Sequence, residues 1–390
     1  MSYHADETAL VLSGGAAYGA FAVGIMKALF AGRSPATAYQ HLDANIVVGT
    51  SVGAFNAAVM ASQSEINCLA AAENLARIWT DEIAARPGKC GNGIFRIRGD
   101  LRDYFDPVCI RAGNAPSRLA EDGWEFGQYL VTRTANFFAS SAPLDDRAVG
   151  LLNIESFIDT KPMRDLLRAT IKEADVRNSR KSLHITTTDW VTGKPTYFQN
   201  EHFREEHGFC AVMASTAVPG VFPPVRIWDR LYVDGGVVQN TPLQPAIDLG
   251  ASELHVIYLD PDPSYIPLKG QPNTMDTLLR MYYMMLATKI AEDVETARWI
   301  NRGLEVIEQY RETQETQSTT VVDLVRVVGK MMESKGRRYK RLVIHRYFPR
   351  HSLGTELGML DFSLDQILKM MEEGERVAIT HDCSENQCVN

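Results

Sequence analysis

Asn45-Ile46-Val47-Val48-Gly49-Thr50-Ser51-Val52-Gly53, followed by Ala54 to Met60, is the stretch on which the fold turns. Asn45 to Val48 reads as a short strand, and Ala54 to Met60 reads as a helix of small and apolar residues. Between them the pentapeptide Gly49 to Gly53 has the spacing GxSxG. A sharp strand-to-helix turn lifts its serine hydroxyl above the sheet edge. Glycines at the two flanks leave room where side chains would collide with neighbouring backbone. The helix that follows directs its positive N-terminal end at the same place. Ser51 is therefore a candidate nucleophile, weighed against a chance Gly-Ser turn of an α/β protein.

The same pattern occurs upstream. Ala9 to Leu12 is strand-like, Ser13-Gly14-Gly15 is a turn, and Ala16 to Ala31 has helical spacing. Two strand–turn–helix units in succession predict parallel strands covered by helices. This settles an awkward feature. Thr8 to Met26 and Ala44 to Ser64 carry no charged residue, and each has roughly the 20 residues a membrane-crossing helix needs. The glycines sit where the backbone must change direction, so both stretches read as buried strand, turn and helix.

Three motifs compete for the Gly14-Gly15 turn. Gly14 and Gly19 have the glycine spacing of a P-loop, but Ala20-Phe21 stand where its lysine and hydroxyl belong. The dinucleotide pattern fails because Ala16 replaces its second glycine. An oxyanion hole needs only free N–H donors beside a nucleophile. That reading is the one retained.

The chain has 390 residues, 45% of them hydrophobic, with 48 acidic against 40 basic. This is a globular composition, and its net charge of −8 argues against a large nucleic-acid footprint. The opening MSYHADET lacks the basic n-region of a Sec signal, so a cytoplasmic protein is expected. The six cysteines contain no CxxC pair and suggest neither a disulfide framework nor a zinc site. They are expected to be reduced thiols, with Cys383 and Cys388 exposed in a polar tail.

Farther along, Glu73 to Ala84 and Lys161 to Glu173 read as helices. Residues 86–150 read as an irregular insertion rich in Gly, Pro and Arg, with scattered aromatics that include Trp124, Phe126, Tyr129, Phe137 and Phe138. The insertion is either a lid or a structural loop. Leu183 to Thr188 and Thr196 to Gln199 form a strand pair, and Leu254 to Leu259 is a core strand. Beyond Pro261 come a long helix (Thr274 to Gln309), a polar linker, a shorter helix (Val321 to Met332), a strand (Leu342 to His345) and a last helix from Ser363. Met275, Met281, Met284 and Met285 on the long helix read as packing surface, or else as an acyl-chain wall. The basic run Lys335 to Arg341 reads as a solvated loop or a headgroup contact.

A serine needs a base. His184, His255 and His345 lie in strand-like runs and none is convincingly placed. Asp234 ends the strand Leu231 to Val233 just before Gly235-Gly236. It is expected at the same C-terminal sheet edge as Ser51, the usual site edge of parallel sheets. An Asp capping a turn is the bland alternative.

Taken in order, these turns resemble the patatin-like family of lipid acyl hydrolases. Leu12 to Gly19 resembles its Gly-rich oxyanion segment, Gly49 to Gly53 its nucleophile elbow, and Asp234-Gly235-Gly236 its Asp-Gly-Gly. Ala214 to Pro224 resembles its Ser- and Pro-rich segment, and Gln239-Asn240-Thr241-Pro242 also fits. The family commonly has glycine where this chain has Ala16, and Arg or Lys where it has Tyr18.

The resemblance implies a three-layer α/β/α fold with a mainly parallel central sheet. Residues 1–262 would be the catalytic core and 263–390 a mostly helical region packed on it or completing it. It further implies a Ser51–Asp234 dyad, with N–H donors from Gly14, Gly15 and Ala16. Gly19, Gly49, Gly53, Gly235 and Gly236 would support the motifs. Ala16 can donate its N–H if its φ is negative. No metal or organic cofactor is implied. The substrate would be a phospholipid or another acyl-ester lipid, with membrane contact peripheral. The rival readings are a Ser-His-Asp hydrolase using His255 or His345, and a non-catalytic lipid-binding relative.

Overall fold

In the computed structural model, residues 7–86, 91–98, 107–111, 118–125, 127–128, 131, 158–259, 274–312, 327, 333–334, 337–338, 340–351, 353–354 and 358–389 are described. An eight-stranded sheet forms the centre: β1 (Glu7–Leu12), β2 (Ile46–Thr50), β3 (Ser182–Asp189), β4 (Pro195–Gln199), β5 (Val225–Ile227), β6 (Arg230–Asp234), β7 (Ala251–Ile257) and β8 (Val343–Tyr347). Their spatial order is β8-β7-β1-β2-β3-β6-β5, with β4 also paired to β3. Strands β8, β7, β1, β2 and β3 are mutually parallel. The strands β4, β5 and β6 are antiparallel to their partners. The sheet is thus mostly parallel, and the inner strand β1 carries the apolar run Ala9 to Leu12 that burial on both faces favours. All five residues of β2 are buried.

Helices cover both faces. α1 (Gly19–Phe30) and α2 (Val52–Ser62) are the two helices launched by the glycine turns, and nearly every residue of each is buried. α3 (Cys68–Arg77) continues into a wide π turn, Ile78–Ile83, which aims Trp79 and Ile83 inward. The others used below are α4 (Lys161–Thr170), α5 (His207–Ser215), α6 (Leu243–Asp248), α7 (Thr274–Glu312) and α8 (Leu364–Ile379). Among the described residues no helix is long and apolar enough to cross a membrane.

The C-terminal segment enters the core twice. Its strand β8 pairs with β7, and its helix α8 lies against α1 at backbone distance. A Cβ on Gly24 would come within 2.0 Å of the Met371 carbonyl oxygen, and one on Gly374 within 2.1 Å of that of Phe21. Glu375 of α8 then binds Lys27 and, at 3.0 Å, Arg33. The α7 methionines Met281 and Met284 are exposed, hence not core, and neither is among the residues that line the cavity described below; the side chains of Met275 and Met285 lie outside the described residues.

Three expectations fail here. Cys109 is disulfide-bonded rather than reduced, because folding brings together cysteines that chain spacing keeps apart. Cys383 and Cys388 are half-buried rather than exposed. Asp234 does lie near Ser51, but its strand runs antiparallel to β3 rather than with the parallel set. The helix predicted over Val321 to Met332 apart from Val327, most of the polar linker before it, Lys335, Gly336 and Tyr339 of the basic run, and Phe126, Tyr129, Phe137 and Phe138 lie outside the described residues. Trp124 is described and exposed.

Candidate active site

Strand register brings the two candidate residues together. Both β2 and β4 pair with β3 over His184 to Thr186, so they occupy opposite edges of it. Both β4 and β6 pair with Thr187 and Thr188, so β6 shares the β2 edge. Thr50, the last residue of β2, stands opposite Thr186, and Asp234, the last of β6, stands opposite Thr187. The two strands therefore meet end to end along one edge of β3. Ser51, next after Thr50, and Asp234 thus stand at that junction.

Ser51 sits at φ 56°, ψ −127°, a region that almost only glycine populates. Its N–H donates to Ser215 Oγ at 2.9 Å, and that hydroxyl donates to the Thr186 carbonyl at 2.6 Å. The Ser51 carbonyl accepts the first helical bond of α2 from Ala54 at 2.9 Å. Close approach explains the flanking glycines. A Cβ on Gly49 would lie 2.3 Å from the Gly53 carbonyl oxygen, and one on Gly53 the same distance from that of Leu12. The start of α2 is thereby pressed onto the end of β1, which puts the Gly14 turn beside Ser51. A Cβ on Gly14 would be 2.7 Å from Ser51 Cβ.

The residues after Asp234 hold that turn. Gly14 N–H donates to Asn240 Oδ1 at 3.1 Å, Asn240 Nδ2 donates back to the Gly14 carbonyl at 3.3 Å, and Ser13 Oγ meets Thr241 Oγ1 at 2.8 Å. The Gly14 N–H is thus engaged by Asn240 rather than turned to a substrate. Gly15 and Ala16 do face the cavity described below. Ala16 has φ +47°, the left-handed conformation, not the negative φ expected. A glycine adopts it freely, whereas alanine holds it at a cost of roughly 1–2 kcal/mol. Tyr18 is buried and packs its hydroxyl against Gly354, away from the cavity. Gly19 lets Val52 and the Trp79 ring pack onto the start of α1. Its carbonyl accepts from Asn56 Nδ2 at 3.2 Å, and Asn56 Oδ1 accepts from Trp79 Nε1 at 2.9 Å.

Asp234 is completely buried. Its Oδ1 accepts from Gly236 N–H at 2.7 Å, its N–H donates to the Ala217 carbonyl at 2.9 Å, and its own carbonyl accepts from Thr188 Oγ1 at 2.9 Å. Gly235 lies directly over the end of β2: a Cβ there would be 2.3 Å from the Thr186 carbonyl oxygen and 3.0 Å from Thr50 Cγ2. Thr50 Oγ1 donates to the Gln239 carbonyl at 3.0 Å, tying the two strand ends together.

A cavity of about 350 Å³ opens beside Ser51. Its walls include Phe55, Trp79, Met163, Met213, Phe222 and Phe362, and the insertion adds Ile94 and Phe95. Exposed Arg164 and Arg226 stand among the lining residues. None of the lining residues is a histidine. His255 and His345 instead stack on each other, 4.9 Å between centroids, in β7 and β8. Ser215 and Asn240 are the polar residues without an assigned role in the sequence reading. Both lie inside motifs it singled out, and only the fold reveals what they hold. The cavity walls come from α2, α4, α5, the π turn and the C-terminal segment, and no local pattern marks them.

The family model described as Patatin-like phospholipase matches residues 10–247, well over half of the chain. An uncharacterized NTE family protein of Mycobacterium tuberculosis is 28% identical over 153 residues, 39% of this chain and 38% of that protein. The triacylglycerol lipase ptl2 of Schizosaccharomyces pombe is 24% identical over 230 residues, 59% of this chain and 27% of that one. The chain spans less than two-fifths of the curated relatives it matches. Among solved structures, VipD from Legionella pneumophila aligns over 98% of this chain and 71% of its own, with TM-score 0.32 and 13% identity. The chain belongs to the patatin-like phospholipase family of lipid acyl hydrolases.

Proposed function

We propose that the protein hydrolyses carboxylic esters of lipids, with Ser51 as nucleophile and Asp234 as general base. One observation carries the reading: Ser51, held at positive φ on a strand-to-helix turn, lines an apolar cavity together with Gly15 and Ala16. Ser51 Oγ adds to the ester carbonyl carbon while its proton passes to the Asp234 carboxylate. The N–H groups of Gly15 and Ala16 meet the developing oxyanion, and such a donor is worth roughly 10²–10³ in rate. Collapse breaks the ester C–O bond, and Asp234 returns the proton to the leaving alcohol. Water activated by Asp234 then releases the acyl group from Ser51. Protonation of Asp234 removes the base, so turnover falls on the acid side.

The acyl chain occupies the apolar cavity, each buried methylene contributing about 0.8 kcal/mol. Arg164 and Arg226 at the cavity favour a substrate with a phosphate-bearing headgroup. They stand in for the cation that Tyr18 does not supply. Ile94 and Phe95 in the wall support a covering role for the insertion, and we place the enzyme in peripheral contact with lipid surfaces. The Ser-His-Asp alternative is disfavoured because its candidates, His255 and His345, stack on each other within β7 and β8, away from the β2 end that carries Ser51. The test is labelling with a fluorophosphonate and locating the adduct by mass spectrometry. The adduct is expected on Ser51 and absent from Ser51→Ala, and Asp234→Asn should abolish turnover. Labelling elsewhere, or turnover that depends on His255 instead of Asp234, would overturn the assignment.

A further inference from the structure

Away from the cavity, four side chains with metal-binding donors converge where the tail crosses β8. They are His345 on β8 and His381, Cys383 and Cys388 in the segment after α8. One donor atom from each lies within 4.8 Å of all the others. Cys383 Sγ is 3.5 Å from His345 Nδ1 and 3.5 Å from His381 Nε2, and Cys388 Sγ is 3.4 Å from the same Nε2. Bonds of about 2.3 Å to sulfur and 2.0–2.1 Å to nitrogen, at a tetrahedral angle, put sulfur and nitrogen roughly 3.5–3.6 Å apart. These three spacings match the sulfur–nitrogen edges of such a tetrahedron. From this convergence we infer that the protein binds one zinc ion through His345, His381, Cys383 and Cys388, in a closed structural site.

The surroundings fit the ion. Two thiolates and two neutral imidazoles cancel the charge of Zn²⁺, which suits a half-buried site. His345 turns its other nitrogen, Nε2, toward Glu253 Oε1 at 3.9 Å, and that same oxygen meets His255 Nε2 at 3.2 Å. A carboxylate behind a ligating imidazole is the usual orienting arrangement. The Asn386 amide meets His381 Nδ1 at 2.7 Å. The amide atom at that distance is Nδ2, a donor; ligation through Nε2 needs the amide turned over, so that its oxygen accepts from Nδ1–H and the Nε2 lone pair faces the two sulfurs. The Arg346 N–H donates to Cys388 Sγ at 3.4 Å, a bond that strengthens when the sulfur is a thiolate.

Zinc binds sulfur as thiolate and imidazole in its neutral form, so affinity falls as the solution is acidified. The backbone already registers the site. Ile344 and Val389 exchange two hydrogen bonds, of 2.7 and 3.0 Å, that lay the tail along β8. Zinc would fix the tail to the sheet edge, as a closed four-ligand site has no open position for chemistry.

The experiment uses full-length protein, freed of any affinity tag and purified without chelator. Zinc is counted by mass spectrometry of the metal, and the intact chain is weighed without reductant. The expected result is about one zinc per chain, with Cys383 and Cys388 still thiols. Chelator should strip the zinc and lower the thermal midpoint. Cobalt(II) added to the stripped protein should give thiolate charge-transfer and tetrahedral d–d absorption. The Cys383→Ser/Cys388→Ser double variant should retain less than a tenth of the wild-type zinc. Its folding is checked by fluorophosphonate labelling at the separate Ser51 site. Wild-type protein that holds under a fifth of a zinc per chain, even after dialysis against zinc, would overturn the proposal. So would a mass two hydrogens low that maps to a Cys383–Cys388 disulfide, or cobalt spectra without tetrahedral thiolate bands.

Discussion

Replacing Ser51 by glycine and, separately, by alanine isolates the backbone strain of the elbow. Both variants lose the hydroxyl and with it the proposed nucleophile, so they differ only in a methyl group held at φ 56°, ψ −127°. At an ordinary position glycine is the poorer choice by roughly 0.5–1 kcal/mol, because its unfolded chain is freer. Here it releases strain of about 1–3 kcal/mol that any side chain must carry. The balance makes Ser51→Gly more stable than Ser51→Ala by roughly 0.5–2 kcal/mol, the reverse of the usual order. With a urea dependence of about 3 kcal/mol per molar, the unfolding midpoints should differ by roughly 0.2–0.7 M. Equilibrium urea unfolding, followed by tryptophan fluorescence on both variants, reads this directly. An alanine variant equal to or more stable than the glycine one would refute the claim that the turn stores strain.

Ala16→Gly should keep esterase turnover and leave stability unchanged or raised by up to about 1 kcal/mol, since φ +47° ceases to be strained; urea unfolding checks it. Ser215→Ala should destabilise by roughly 1–3 kcal/mol, because the buried Ser51 N–H loses its acceptor, and should lower kcat more than it changes KM. Rates on esters of increasing chain length should climb about fourfold per methylene until the cavity is full; Met213→Trp should stop the climb at a shorter chain. Converting Arg164 and Arg226 to alanine should lower kcat/KM for phospholipids while sparing neutral esters, a comparison made on matched micelles. Burial raises Glu375, but Lys27 and Arg33 outweigh it and hold the carboxyl below its ordinary value. Its contribution is then complete above about pH 4.3 and lost as pH falls through the lower folded value. Glu375→Gln should flatten that part of the acid stability curve, at a cost of about 1 kcal/mol or less for so solvent-screened a pair.

The two glycine turns are legible in the sequence because their chemistry is local: strand, turn and helix follow one another within a few residues. The mostly parallel sheet follows from them. The antiparallel course of β6 does not, since a five-residue strand reads the same in either direction and only pairing with β3 fixes its sense. Ala16 shows a second limit. Its identity departs from glycine, yet the fold of the turn around Ser51 still demands the left-handed conformation. The engagement of Gly14 N–H by Asn240 depends on residues far apart in the chain, and so do the cavity walls. His345 and the tail cysteines are likewise too far apart in sequence for any spacing rule to join them.

The end-to-end meeting of β2 and β6 along β3 has a consequence for motion. The proposed nucleophile and base both take their positions from the same few residues of one strand, Thr186 and Thr187. A displacement of that strand carries both along, so their separation is insensitive to it. Met163 and Phe362 belong to other elements, which can shift to admit lipids of different girth without changing that separation, whereas Met213 shares α5 with Ser215, which holds the Ser51 N–H. Breathing of the first two walls is decoupled from the reacting pair.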